Sequence, residues 1–134
     1  MFKARVRHGL LIAAMLVLIG SVMTAAAPKS YRICHLAPLT GDASFQGQIL
    51  VNAAKMAVDE INAKGGINGV PIEYIPVDET SSTATGIEAV RKALALNPVA
   101  VIGPNRSGTI LAAEALWKDA KIPFITDGTN AQTT

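Results

Sequence analysis

This sequence is poor in the residues that most site chemistry needs. It has one cysteine, Cys34, so no intrachain disulfide can form. Of its two histidines, only His35 lies beyond the first 26 residues. With no second histidine there and no activated cysteine, neither a Ser/His/Asp nor a Cys/His arrangement can be assembled. No cluster of metal-ligand type stands out, and no cofactor is expected. Positive charge is scarce once its placement is considered. The formal net charge is +2, but Lys3, Arg5 and Arg7 crowd the N-terminus. Beyond residue 26, nine Lys and Arg face ten Asp and Glu, one net negative charge. That balance gives no reason to expect nucleic acid as a partner.

What is present begins with a leader. The basic stretch Lys3, Arg5, Arg7, His8 precedes an uncharged apolar run from Gly9 to Met23, then Thr24-Ala25-Ala26-Ala27. This is the layout of a secretory signal peptide. Cleavage is expected after Ala26, which leaves small residues, Ala26 and Thr24, at the −1 and −3 positions. The alternative is an uncleaved anchor, although Gly9–Met23 is shorter than the roughly 20 residues a span needs. Residues 1–26 are therefore assigned to the signal peptide and 27–134 to one exported mature domain. Cys34 lies well past the cleavage site, between Ile33 and Leu36, and is read as a small buried hydrophobe in a strand.

The stretch Val99 to Thr109 organises the rest. Val99–Ile102 is a short β-branched run, typical of a parallel strand covered on both faces. Gly103 and Pro104 end it, Ser107 is of N-cap type, and Ile110, Leu111, Ala113 and Leu116 continue as an apolar helix stripe. A strand feeding a helix through such a turn points backbone N–H groups at one spot, which suits an anion. Gly103 and Gly108 have P-loop spacing, but Thr109 stands where the phosphate-binding Lys is required. The remaining choice is between a carboxylate site and a structural turn whose Ser107 only caps its helix.

Along the chain, strands are expected at Tyr31–Ala37, Ile72–Val77, Val99–Ile102 and Ile122–Thr126. Helices are expected at Gln46–Ala63, from Ser81 or Ser82 to Leu96, and at Ser107–Asp119. The first helix is expected to turn Leu50, Ala53, Ala54, Ala57 and Ile61 inward, and Gly65-Gly66 to stop it. The second is expected to bury Ile87, Val90, Ala93 and Leu94. Trp117 and Leu116 are read as packing residues, and His35 as structural. Asp78 and Glu79 end the second strand. As neighbours on an extended segment they point to opposite faces and form no carboxylate pair. The order β-α-β-α-β-α-β with short connections predicts an α/β fold, a parallel sheet with helices on both faces. Ligands then collect beyond the carboxyl ends of the strands, at Pro38–Phe45, Asp78–Ser82, Gly103–Ser107 and Asp127–Asn130.

Several pieces, in order, resemble a known family. They are Ala37-Pro38-Leu39-Thr40-Gly41, then Asn52 through Gly69 with its helix and Gly65-Gly66-Ile67-Asn68-Gly69, then Ile102-Gly103-Pro104 with Ser107-Gly108, then Ile122-Pro123-Phe124-Ile125. Together they resemble the N-terminal part of periplasmic branched-chain amino-acid-binding proteins, the Leu/Ile/Val-type, type I substrate-binding subunits of ABC importers. The resemblance implies two α/β lobes closing on a ligand, no catalysis, and ABC permease subunits as partners, with the membrane met only through the transporter. By length, residues 27–134 would be an incomplete first lobe, with the second absent.

Carried over by position, the resemblance implies that Ser107 bonds the α-carboxylate of a branched-chain or related small amino acid. Thr129, with the backbone around Gly128, would bind its carboxylate or ammonium group, and Phe45 would wall its side chain. Each has a plainer reading: Ser107 as a cap, Thr129 as a turn residue, Phe45 as core. The 127–130 loop is one residue shorter than the family's Pro-Gly-Ala-Thr-Asn form, and Cys34-His35 replaces smaller residues. Arg106, facing the cleft, would pair with a second acidic group on the ligand; facing solvent, it would have no role there. A ligand-sensing domain of a receptor or regulator on the same fold is the alternative function. An α/β enzyme would need a phosphate-binding lysine or a catalytic group that these residues lack.

Overall fold

A computed structural model of the chain describes residues 29–133. The signal-peptide reading of residues 1–26 lies outside them. Four strands and four α-helices follow one another: β1 (Tyr31–Ala37), α1 (Ser44–Ala63), β2 (Ile72–Asp78), α2 (Thr83–Ala95), β3 (Ala100–Ile102), α3 (Ser107–Ala112), α4 (Glu114–Ala120) and β4 (Phe124–Ile125). A 3₁₀ turn spans Ala131–Thr133. No helix among the described residues is long and apolar enough to cross a membrane.

The strands form one parallel sheet in the order β2-β1-β3-β4. From β1 the chain steps one way to β2, then back across β1 to β3 and onward to β4. Right-handed crossovers then place α1 on one face and α2, α3 and α4 on the other. Side-chain alternation along β1 agrees. Cys34 and Leu36, both fully buried, join Val77, Val90, Ala93, Val101, Ala113 and Trp117 in the core beneath α2 and α4. His35 faces the other way, toward Tyr74 and α1. Each fully buried side chain such as Leu36 or Val90 contributes about 1.5–3 kcal/mol. Trp117 packs on Phe124 with ring centroids 4.7 Å apart, fastening α4 to β4.

The expected β1 is matched residue for residue, and the other strands to within their ends. The helices differ more. On α1 the buried positions are Gly47, Val51 and Val58, whereas Ala53, Ala57 and Ile61 are exposed. The buried stripe is turned by about a quarter of a helical turn from the expected one. Gly47 helps set the rotation: a Cβ there would lie 2.0 Å from the carbonyl oxygen of Pro38, so this face packs directly on the loop that leaves β1. On α2, Gly86 and Ala89 join Val90 and Ala93 inside, and Ile87 and Leu94 are half-buried. Ser82 is the cap, its Oγ accepting the Thr85 N–H.

The single third helix is two helices, broken at the fully buried Ala113. Hydrogen bonds from Ala113 N–H to Thr109 O and from Trp117 N–H to Ala113 O bridge the break. Ser107 does not cap α3. Arg106 occupies the cap position, in extended conformation and without a side-chain cap bond. Ser107 comes one residue later, and its hydroxyl engages a different loop.

Candidate functional site

The sheet reverses its direction of growth between β1 and β3. At such a point the loops beyond the strand ends leave in opposite directions and open a crevice. The loops concerned here are 38–43 after β1, 103–106 after β3, and 126–130 after β4.

The first loop is pinned by Asp78, the last residue of β2. Its Oδ1 accepts the N–H groups of Leu39 at 2.9 Å and Thr40 at 3.3 Å, and its Oδ2 accepts the Thr40 hydroxyl at 2.6 Å. Oδ1 also accepts Thr80 N–H at 2.8 Å. Burial pushes this carboxyl up, but the Thr40 hydroxyl and the backbone N–H groups outweigh it and hold it below its usual range. In the same loop the exposed Asp42 is held low, chiefly by a hydrogen bond from Ser81, with Arg106 adding a smaller attraction.

The second loop is pinned by the next residue. Glu79 is fully buried, and its Oε1 accepts Asn105 N–H at 2.9 Å. Burial pushes its pKa up to about 7; the Asn105 amide and the Arg106 charge oppose this, and Asp127 adds to it. Gly103 makes the turn: its φ is +84°, and a Cβ there would lie 2.2 Å from Leu36 O. Only glycine fits this approach.

The loops after β3 and β4 are tied together at three places. Thr126 Oγ1 donates to Pro104 O, Asn105 Nδ2 donates to Asp127 Oδ2 at 2.7 Å, and Asn130 N–H donates to Ser107 Oγ at 3.3 Å. The structure thus brings Ser107 against the loop that carries Gly128 and Thr129. Gly128 N–H donates to Thr126 Oγ1 at 3.2 Å, and Thr129 is exposed. Arg106 is half-buried, its charge felt by both Glu79 and Asp42. Phe45, in the first turn of α1, is 80% exposed, so it is not a core residue.

His35 is 5% exposed on β1, its Nδ1 2.6 Å from the Tyr74 hydroxyl. Burial lowers its pKa, against a smaller pull from Asp127, and burial alone pushes Tyr74 up to about 12. It lines a cavity of about 280 Å³ with Leu50, Ile102, Asn105, Thr126 and Asp127.

Asp78, Glu79 and Asn105 were not among the expected site residues. The alternation that denies Asp78 and Glu79 a shared face sends them to two different loops. Their position at the carboxyl end of the strand beside β1 was the available signal.

The described geometry has close relatives. Residues 30–134 match the family model described as periplasmic binding protein. The Leu/Ile/Val-binding protein BraC3 of Rhizobium johnstonii is 32% identical over 91 residues, covering 68% of this chain and 25% of that protein. Leu/Ile/Val-binding protein homolog 8 of Brucella melitensis is 30% identical over 120 residues, 89% of this chain and 30% of that protein. Among solved structures, the branched-chain amino acid transporter substrate binding protein LivJ of Streptococcus pneumoniae, in complex with isoleucine, superposes with a TM-score of 0.73 at 33% identity. The match covers 78% of this chain and 31% of that one. The chain thus spans about a quarter to a third of the length of these relatives. On the strength of the family match and the sheet order together, the chain belongs to the periplasmic binding protein family.

Proposed function

We propose that residues 27–134 form the first lobe of an extracytoplasmic solute-binding subunit of an ABC importer. Its ligand is a branched-chain amino acid or a related small amino acid or carboxylate, held in a cleft beyond the strand ends. The reading implies no catalysis. The observation that carries it is the convergence of three loops at the sheet's switch point, with the Ser107 hydroxyl against the Gly128–Asn130 loop and Phe45 exposed in the first turn of α1. The printed names of the relatives, branched-chain and Leu/Ile/Val binders, support the ligand class. In this reading Ser107 donates to the ligand carboxylate, Thr129 and the Gly128 backbone meet its carboxylate or ammonium group, and Phe45 packs on its side chain. Arg106, whose charge Asp42 and Glu79 both feel, pairs with a second acidic group on the ligand if it faces the cleft.

The test is native mass spectrometry of the protein purified from its source without added ligand, followed by titration with isoleucine, leucine and valine. An adduct of amino-acid mass and an N-terminus at Ala27 are expected. Absence of any adduct, with no binding of the three amino acids, would overturn the reading.

A further inference from the structure

Glu79 is the one fully buried carboxylate among the described residues. Its backbone N–H donates to Ala37 O at 3.0 Å, so its side chain starts at the junction of β1 and β2. From there it reaches the turn after β3, where Oε1 accepts Asn105 N–H. Oε2 is buried and makes no hydrogen bond of normal geometry, although the Arg106 backbone N–H also draws on the carboxylate. A carboxyl group with one well-satisfied and one poorly satisfied oxygen therefore lies against the turn that leads into Ser107.

The charges around it are unbalanced. From the loop after β3 it faces the Arg106 guanidinium, and from the loop after β4 the Asp127 carboxylate. From the loop after β1, Asp42 draws on the same guanidinium. His35, on β1, is buried with its pKa lowered and stays neutral above about 6.5. The Arg106 charge thus acts on both Glu79 and Asp42, Asp127 adds a further negative charge beside Glu79, and a docking ligand brings another carboxylate. Asp42 and Asp127 are exposed, and each carboxylate is hydrogen-bonded. Only Glu79 has a buried oxygen without a normal hydrogen bond, and a proton on Oε2 removes its charge while Oε1 keeps the Asn105 bond.

We propose that Glu79 is a positioning residue of the ligand site, one that holds the Asn105–Ser107 turn and takes up a solvent proton when a carboxylate ligand docks there. This rests on the carboxylate-binding reading of the site. The balance is simple: the zwitterionic ligand brings no net charge, one proton comes from solvent and forms an O–H bond at Oε2, and the net charge of the cleft rises by one, which offsets the ligand carboxylate docked beside the turn. The pKa of Glu79, raised to about 7 by burial, leaves the group half-protonated at neutral pH and easily shifted by a nearby anion.

The experiment is isothermal titration of isoleucine into the protein purified from its source, between pH 6 and 8.5, in buffers of different ionisation enthalpy. Isoleucine's own carboxylate and ammonium keep their charge over this range. The expected result is an affinity that falls several-fold above pH 7, approaching about tenfold per pH unit as a limit. Fractional proton uptake at pH 7.5 should accompany it. In the Glu79→Gln variant the Gln Oε1 still accepts Asn105 N–H; affinity should become independent of pH and uptake should vanish. A purely structural role for Glu79 would instead weaken binding at every pH and leave the slope intact, which would overturn the proposal. So would isoleucine binding to the unaltered protein without pH dependence or uptake, while leaving the site reading in place. No amino-acid adduct in the purified protein and no binding of isoleucine, leucine or valine at any pH would overturn both. Should the variant fail to fold, the Asn105 amide resonance of the unaltered protein serves instead. Its pH midpoint, near 7, should rise on adding isoleucine, and an unmoved midpoint overturns the proposal.

Discussion

The Ser107 hydroxyl oxygen accepts the backbone N–H of Asn130 at 3.3 Å. A serine hydroxyl has one proton to give and lone pairs to spare. Because Asn130 fills an acceptor direction and Ser107 caps no helix, the proposed site has the Ser107 proton donate to the ligand carboxylate. Ser107→Ala should therefore weaken isoleucine binding by roughly 10- to 100-fold, the value of a hydrogen bond to a charged group. Ser107→Thr should retain most of the affinity. Calorimetric titration of both variants checks this, and equal losses in the two would argue against a donated bond.

Asp78 accepts four hydrogen bonds, three of them from Leu39 and Thr40 across the gap between β2 and the loop after β1. Asp78→Ala leaves those donors to water or to one another. A loss on the order of 2 kcal/mol is expected, together with weaker ligand binding as residues 38–43 come loose. Asp78→Asn keeps one accepting oxygen and should lose less. Chemical denaturation of the two variants ranks them, and the reverse order would show that the anchoring is not through these bonds.

Glu79 and His35 pull stability in opposite directions with pH. Glu79 has a folded pKa near 7 against an unfolded value of 4.5, so the folded state binds more protons between them. Its contribution is full below pH 4.5 and is lost as pH rises through 7, a fall of about 3 kcal/mol at most. His35 is lowered by burial, so its contribution is present above pH 6.5 and lost as pH falls below that. Unfolding free energy measured from pH 4.5 to 8 should thus show a decline due to Glu79 at the upper end of the range, where the His35 contribution is already complete. Glu79→Gln should abolish the decline, and a decline that persists would assign it to another group.

The order of strands and helices was legible because it rests on local patterns. The β-branched runs at Ile72–Val77 and Val99–Ile102, the glycines after Ala63 and the polar turns all act within a few residues. The rotation of α1 was not legible, because both stripes, one of Ala53, Ala57 and Ile61 and one of Val51 and Val58, are made of apolar residues. What helps decide between the two stripes is the approach of Gly47 to Pro38, a contact made by the tertiary fold. The site divides in the same way. A parallel sheet brings Ser107 and the 126–130 loop to one end, and both were expected there. The hold that Asp78 and Glu79 have on the neighbouring loops depends on β1 lying between β2 and β3. Strand order of that kind leaves no trace in the spacing of residues along the chain.

Phe45 provides the sharpest separation of stability from recognition. Its ring is 80% exposed, so removing it costs the fold little. Phe45→Ala should leave the unfolding free energy within about 0.5 kcal/mol of the unaltered protein. If the ring walls the ligand side chain, the same substitution removes apolar contact worth about 1–2 kcal/mol to a branched side chain and far less to a methyl group. Isoleucine affinity should therefore fall roughly 5- to 30-fold while alanine affinity barely moves. Parallel titrations with the two amino acids decide it. An equal effect on both, or none on either, would remove Phe45 from the site and leave it as an exposed residue of α1.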